Sequence, residues 1–214
     1  MAYGEIVEIT IRSLAISSMA TVFSTVWSIP LALKLSYSNY KQTKILMSIF
    51  NAMIGLPTVL VGLLLYLLLS KSGPLGALGL LYRPESIILG ESILITPLIV
   101  SLAYEEFHKA REEYWEVAYT LGADEIQASV VMLKESISGL IVTLLISFSR
   151  ALGELGVALM VGGNIRGYTR VFTTTIALEI SKGNFETAII LGLILLAIIS
   201  VITIIVRVLG GEKD

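Results

Sequence analysis

The sequence predicts an all-α membrane protein of about five transmembrane helices in a single domain. Composition is the first observation. A soluble domain is about 45–50% apolar and about 25% charged, whereas this chain of 214 residues is 55% hydrophobic and 15% charged, with mean hydropathy +0.85. The second is a series of apolar segments close to the roughly 20 residues that a helix needs to cross a bilayer. The third is a charged stretch, Glu112–Ser136, set between two of those segments. The net charge of −2 carries little weight, because orientation in a membrane is read loop by loop. With no cysteine and a single histidine, His108, neither a disulfide framework nor a metal site is expected.

The segments follow in order. Ser13–Leu33 and Ile45–Ser70 carry no charge, Ser86–Tyr104 carries Glu91, Ile137–Val161 carries Arg150 and Glu154, and Thr187–Val206 carries none. Each is expected to span. Pro57 and Pro97 are expected to kink the second and third helices. Val171–Leu178 is too short to span and is expected to be a re-entrant or interfacial helix, or an early turn of the last helix; at depth such backbone must be covered by protein or line a cavity. Lys34, Lys41 and Lys44 after the first segment place that loop in the cytoplasm. Alternation then puts the N-terminus, the loop around Lys71–Glu85 and Arg166–Lys182 outside. It puts Glu112–Ser136 and the C-terminus, with Arg207 and Lys213, inside. Arg166, Arg170 and Lys182 run against the positive-inside rule in this orientation. Glu5 and Glu8 precede the first apolar run, so no cleavable signal peptide is expected. Neither an internal repeat nor an appended regulatory domain is expected.

The charged stretch parses as two short helices joined by a sharp bend. Tyr114, Val117, Ala118 and Leu121 recur at helical spacing. Gly122 stands where a helix end favours positive φ. Asp124 and Gln127 have the spacing of a capping box, and Ile126, Val130 and Leu133 continue a helical period beyond it. A helix lying on lipid carries lysine and arginine on its polar face. Here acids dominate: Glu105, Glu106, Glu112, Glu113, Glu116, Asp124 and Glu125 against Lys109, Arg111 and Lys134. Docking of this loop, about residues 105–136, into a groove on a cytoplasmic protein fits better.

Glu116-Val117-Ala118 followed by Gly122 resembles the E-A-A…G loop of permease subunits of ABC importers. Val117 replaces that pattern's first alanine, and Met132-Leu133-Lys134-Glu135 replaces its I-x-L-P end. Three further stretches are similar to the molybdate- and tungstate-type permeases: "SRALGELG" (Ser149–Gly156), "GLPTVLVGLLLYLLLSKSGPLG" (Gly55–Gly76) and "MVGGNIRGYTRVFTTTIALE" (Met160–Glu179). The last of these, and the glutamate in "LKES", look most like the tungstate subgroup. The resemblance runs from about Ser13 to Val206. It implies a type I ABC importer permease core in a prokaryotic plasma membrane, carrying a tetrahedral oxyanion, tungstate before molybdate or sulfate. It implies that Glu116, Val117, Ala118, Leu121, Gly122, Ala123 and Asp124 form the coupling loop that seats in an ATPase subunit. It further implies a homodimer, two cytoplasmic ATP-binding subunits that hold ATP and Mg, and an extracytoplasmic oxyanion-binding protein.

Two other constellations are candidates. Arg150 and Glu154, four apart in an apolar segment, can pair across one turn; a charge there costs about 2.5–3.5 kcal/mol on insertion scales. They are either a packing lock or a gating element. Glu91 is expected to pair across helices. Gly162, Gly163, Asn164, Arg166 and Arg170 form either an ordinary turn, which is favoured for the glycines, or an anion cradle at the outer mouth. The arginines are expected to help a substrate or its carrier protein. The hydroxyls of Thr173 and Thr174 (with Thr175) can bond an oxyanion in passing or bond back to their own helix.

The chain lacks G-x-x-x-x-G-K-[ST], H-E-x-x-H and G-x-S-x-G, so no ATP site, zinc protease site or serine hydrolase site is expected. The chain itself is expected to hold no cofactor and to perform no catalysis. A bilayer and protein partners are expected, without nucleic acid. An ATPase-independent carrier or channel is the alternative of a different class, and the scarcity of intramembrane charge counts against it. An intramembrane enzyme has no constellation to support it.

Overall fold

The computed structural model describes residues 3–38 and 40–209. Lys213 lies outside them. Among the described residues the regular structure is helical: α1 (Tyr3–Tyr37), α2 (Tyr40–Ile54), α3 (Thr58–Leu69), a single 3₁₀ turn (Gly76–Leu78), α4 (Pro84–Thr120), α5 (Glu125–Leu152), α6 (Gly156–Gly162), α7 (Phe172–Ser181) and α8 (Phe185–Leu209). α1, α4, α5 and α8 are long and apolar enough to cross a bilayer, and α2 with α3, bent by 93°, is a broken fifth span or a re-entrant loop. The expected fold class is therefore observed, with four or five spans where about five were expected.

α1 and α4 form the spine. α1 has 35 residues and is ~52 Å long at 1.5 Å per residue, well beyond the ~30 Å hydrocarbon core. Ser13, Ser17, Ala20, Thr21, Ser24, Ser28 and Ala32 recur every three or four residues and are all buried. Small side chains on one face let two helix backbones approach closely in a membrane. The α1–α4 contact has that form: the Ser92 hydroxyl donates to the Ala20 carbonyl at 3.0 Å, and Ser24 and Thr96 share a hydrogen bond of 2.9 Å. Lys34 in the last turn of α1 complements the helix dipole.

The breaks differ from expectation in instructive ways. Pro57 does more than kink the second span. It is the N-cap of α3, with φ −61° and ψ 118°, and the chain turns there because proline lacks a donor and biases its predecessor away from helix. α4, by contrast, runs through Pro97 unbroken. Ile137–Val161 is not one helix. α5 stops at Leu152 and α6 begins at Gly156. α6 is pressed against α3 at glycines: a Cβ on Gly156 would sit 2.6 Å from the Thr58 hydroxyl oxygen and 2.9 Å from the Val59 nitrogen. α7 is a separate short helix and not a turn of α8; Gly183, at φ +79°, divides them.

The contacts order the two ends. At one end lie the start of α1, the α6–α7 loop and the turn before α4, joined by the Arg166–Glu5 pair and by the Tyr82 amide donating to the Val161 carbonyl at 2.8 Å. At the other lie the end of α1, the α4–α5 bend and the end of α8, joined by Tyr37 to Ser129 and by Ser138 to the Leu209 carbonyl. This is the grouping that alternation of the spans requires.

Candidate functional site: a docking hairpin at the inner end

The bend between α4 and α5 is built from local rules. α4, at 37 residues, is ~55 Å long and carries its last turns beyond the membrane. It ends in a Schellman arrangement. The Ala123 amide donates to the Ala118 carbonyl and the Gly122 amide to the Tyr119 carbonyl, both at 3.0 Å. Gly122 has φ +85°, a region where an L side chain costs about 1–2 kcal/mol. Asp124 then caps α5. Its Oδ1 accepts the Gln127 amide at 2.8 Å, and its own amide donates to Gln127 Oε1 at 3.0 Å. The predicted capping box is complete, and the two arms are the ends of long helices, not short ones.

The faces are distributed differently from the sequence periodicity. Ala118, Ala128, Met132 and Ser136 are buried between the arms. Val117, Leu121 and Ile126 point outward, 53%, 83% and 76% exposed. Glu112, Glu113, Glu116, Asp124 and Glu125 surround them, also exposed. Small residues hold the hairpin together and large apolar ones are displayed on it. A rigid tip with an apolar centre and an acidic rim has the anatomy of a protein–protein contact.

Behind the tip the arms are tied to α1. Arg111 donates from Nη1 to the Ser36 carbonyl at 2.6 Å and lies 5.2 Å from the Tyr37 ring centre and 5.5 Å from that of Trp115. Sequence reading missed this cluster. Its only local signal is Arg111 and Trp115 at i, i+4; Tyr37 comes from another helix.

The α5–α6 break holds Arg150 and Glu154. They pair within the chain at 2.8 Å. Glu154 is only 3% exposed, and its Oε1 also accepts the Val157 amide at 3.2 Å while its carbonyl accepts the Thr173 hydroxyl at 2.6 Å. Glu154 thus stitches together α5, α6 and α7. Glu91, on α4, is 2% exposed, and its Oε2 has no hydrogen-bond partner among the described residues.

At the outer end the glycine-rich loop is a hydrogen-bonded turn. Gly163 has φ +67° and Asn164 φ +51°. Asn164 donates from Nδ2 to the Thr174 carbonyl at 3.1 Å, and the Ile165 amide donates to Thr169 Oγ1 at 2.9 Å. The Thr169 hydroxyl in turn donates to the Gly162 carbonyl. Thr174 closes on Val171, and Thr175 donates to the Val171 carbonyl at 2.6 Å. Arg166 and Arg170 both pair with Glu5, at 2.9 and 3.4 Å, and Lys182 pairs with Glu179 at 2.8 Å. These pairs explain why cations sit outside against the positive-inside rule. The Lys182 ammonium first, and the Asn184 amide after it, hold the Glu179 carboxyl below its ordinary range.

A multi-pass helical protein that displays a capped, apolar-tipped hairpin at one end of its bundle has the layout of a membrane-embedded subunit of a larger assembly. The family model for binding-protein-dependent transport system inner membrane components matches residues 24–211, and the chain belongs to that family of inner-membrane permeases. It is similar to the tungstate uptake system permease of Peptoclostridium acidaminophilum, 35% identical over 97% of this chain and 91% of that protein. It is similar, also at 35%, to a probable anion ABC transporter permease of Haloferax volcanii, over 91% of this chain and 86% of that one. The tungstate uptake permease of Campylobacter jejuni is 34% identical over 76% and 68%. As a member of a binding-protein-dependent system, the chain works with an ATP-hydrolysing subunit and a substrate-binding protein.

Proposed function

We propose that this chain forms the membrane pathway for tungstate in an ATP-driven importer, as a homodimer that seats one hairpin in each of two ATPase subunits. The observation that carries the proposal is the tip. Leu121, Ile126 and Val117 are exposed on a hairpin whose two helix ends are capped, so the tip is preformed and lacks only a groove to fill. ATP and its metal then belong to the partner, and the chain supplies neither a catalytic group nor a cofactor site. Closure of the ATPase pair moves the two hairpins together, and rigid-body rotation of the helices opens the pathway on the opposite side. The preference for tungstate rests on likeness to the Peptoclostridium permease over nearly the full length of both chains.

The test is uptake into proteoliposomes that hold the chain, its ATPase subunit and its binding protein. The expected result is ATP-dependent tungstate accumulation, with molybdate and sulfate competing less well, and no uptake when the ATPase is omitted. Uptake without the ATPase assigns the chain to the carriers instead. Equal preference for sulfate removes the tungstate assignment while leaving the ATP-driven permease in place.

A further inference from the structure

Arg111 does not belong to the docking tip. It lies on α4 just before two exposed glutamates, Glu112 and Glu113, and turns onto the end of α1. The last carbonyls of a helix have no partner within it and carry the negative end of its dipole. Arg111 fills both needs with its 2.6 Å bond to the Ser36 carbonyl. Its guanidinium also faces the rings of Tyr37 and Trp115, which meet edge-on with centres 5.8 Å apart. A flat, delocalised cation suits that place and a lysine does not. The Tyr37 hydroxyl then donates to Ser129 Oγ at 3.2 Å, on α5. Below the cluster Ala32, Phe107 and Met132, one from each of the three helices, are fully buried together. The end of α1 and both arms of the hairpin are therefore one body.

The far end of α1 holds the outer loop. Arg12 Nη1 donates to the Arg170 carbonyl at 3.0 Å, Ser13 Oγ accepts the Phe172 amide at 2.9 Å, and Glu5 pairs with Arg166 and Arg170. Between the two ends α1 is one unbroken helix. α5, the other arm, ends at Leu152, packed with Ile9 and Phe172, and does not continue to the level of Glu5 and Arg166.

We infer that α1 is the rod that carries hairpin motion to the outer loop, and that Arg111 is the positioning residue clamping its inner end. The inference rests on the hairpin being the ATPase seat. Because the chain has no cysteine, cysteines can be introduced singly and in pairs for spin labels. One pair, Lys44→Cys with Lys134→Cys, reports the inner end, and another, Leu67→Cys with Tyr168→Cys, reports the outer. In the full transporter, both distances change between the nucleotide-free and ATP-analogue states. In Arg111→Ala the inner distance still changes and the outer change shrinks, because α4 alone still runs unbroken from the hairpin to the outer end. Tungstate transported per ATP hydrolysed falls about tenfold, within the usual range of coupling between sites, and Arg111→Lys restores only part of it.

An outer change of normal size in Arg111→Ala, or an unaltered ratio of tungstate to ATP, overturns the inference. Should Arg111→Ala fail to assemble, Tyr37→Phe removes only the hydroxyl, with its bonds to Ser129 Oγ and Met132 Sδ on α5. Its ratio falls about threefold on this account, and an unchanged ratio counts against it. Glu116→Lys, assayed alongside for ATPase capture, separates the two claims. If Glu116→Lys still captures the ATPase, the hairpin reading fails and takes the inference with it. If capture is lost while Arg111→Ala stays fully coupled, only the inference fails.

Discussion

The two ends of the molecule are built on opposite plans. The inner hairpin caps the two helix ends at its bend and leaves large apolar side chains bare. At the outer end, from Gly162 to Asn184, the polar groups are the ones that are met: the arginines and the lysine are matched to Glu5 and Glu179, the hydroxyls of Thr173, Thr174 and Thr175 are committed to backbone carbonyls, and the exposed apolar side chains, Ile165, Tyr168 and Ile180, are less bare than those of the tip. Hydroxyls and charges that already have partners gain little from a new one, whereas exposed apolar surface gains on every contact that removes it from water. On the proposed function, the end with the most exposed apolar surface is the end that binds the ATPase, and the outer end is a braced scaffold.

The sharpest way to break the comparison is Gly122→Pro. Proline cannot take φ +85° and removes the amide that bonds Tyr119. It costs about 3 kcal/mol or more, which is about a hundredfold in ATPase capture measured by pull-down. Gly122→Ala meets open space and pays only the left-handed conformation, about 1 kcal/mol.

Next in size is Leu121→Ala with Ile126→Ala. If these residues are the centre of the contact, the pair costs about 2–4 kcal/mol in ATPase affinity by titration calorimetry and leaves the melting temperature of the isolated permease unchanged. A fall in melting temperature with affinity intact would mean that the two residues are structural. Asp124→Ala, which loses the cap of α5, is smaller, about 1 kcal/mol, and is read as weaker capture with normal maximal transport.

The smallest effect belongs to the outer end. Lys182 and Asn184 lower the Glu179 pKa. The stabilisation is therefore fully present above the ordinary carboxylate range and is lost as pH falls through the lowered value. Thermal stability of the detergent-solubilised protein declines at acid pH, and Glu179→Gln flattens that decline. A decline of the same slope in Glu179→Gln would assign it to other acids.

Much of the inner site is legible in the sequence because its rules are local. Gly122, Asp124 and Gln127 act within one turn of chain, and each stands where capping demands it. The faces are less legible. Helical spacing groups Tyr114 with Val117, Ala118 and Leu121, yet only Ala118 of the four is fully buried; spacing shows which residues share a side and not what that side meets. Hydropathy runs straight through Gly153 and Pro57 because a broken span is as apolar as a whole one. The partners of the outer cations are illegible for another reason. Glu5 and Arg166 stand 161 residues apart, and only the packing of α1 against the α6–α7 loop brings them together. Glu91 was visible as an intramembrane acid, and nothing local signals that one of its oxygens is left without a partner among the described residues.

The central claim is that the hairpin tip, and not the outer loop, meets the ATPase subunit. Its most direct measurement is crosslinking in the cysteine-free background, from Leu121→Cys at the tip and from Arg166→Cys at the outer loop, to cysteines placed in the groove of the partner ATPase. The account predicts a crosslink from Leu121→Cys that changes in yield with ATP and none from Arg166→Cys. A complex that assembles and hydrolyses ATP without any crosslink from Leu121→Cys would contradict it.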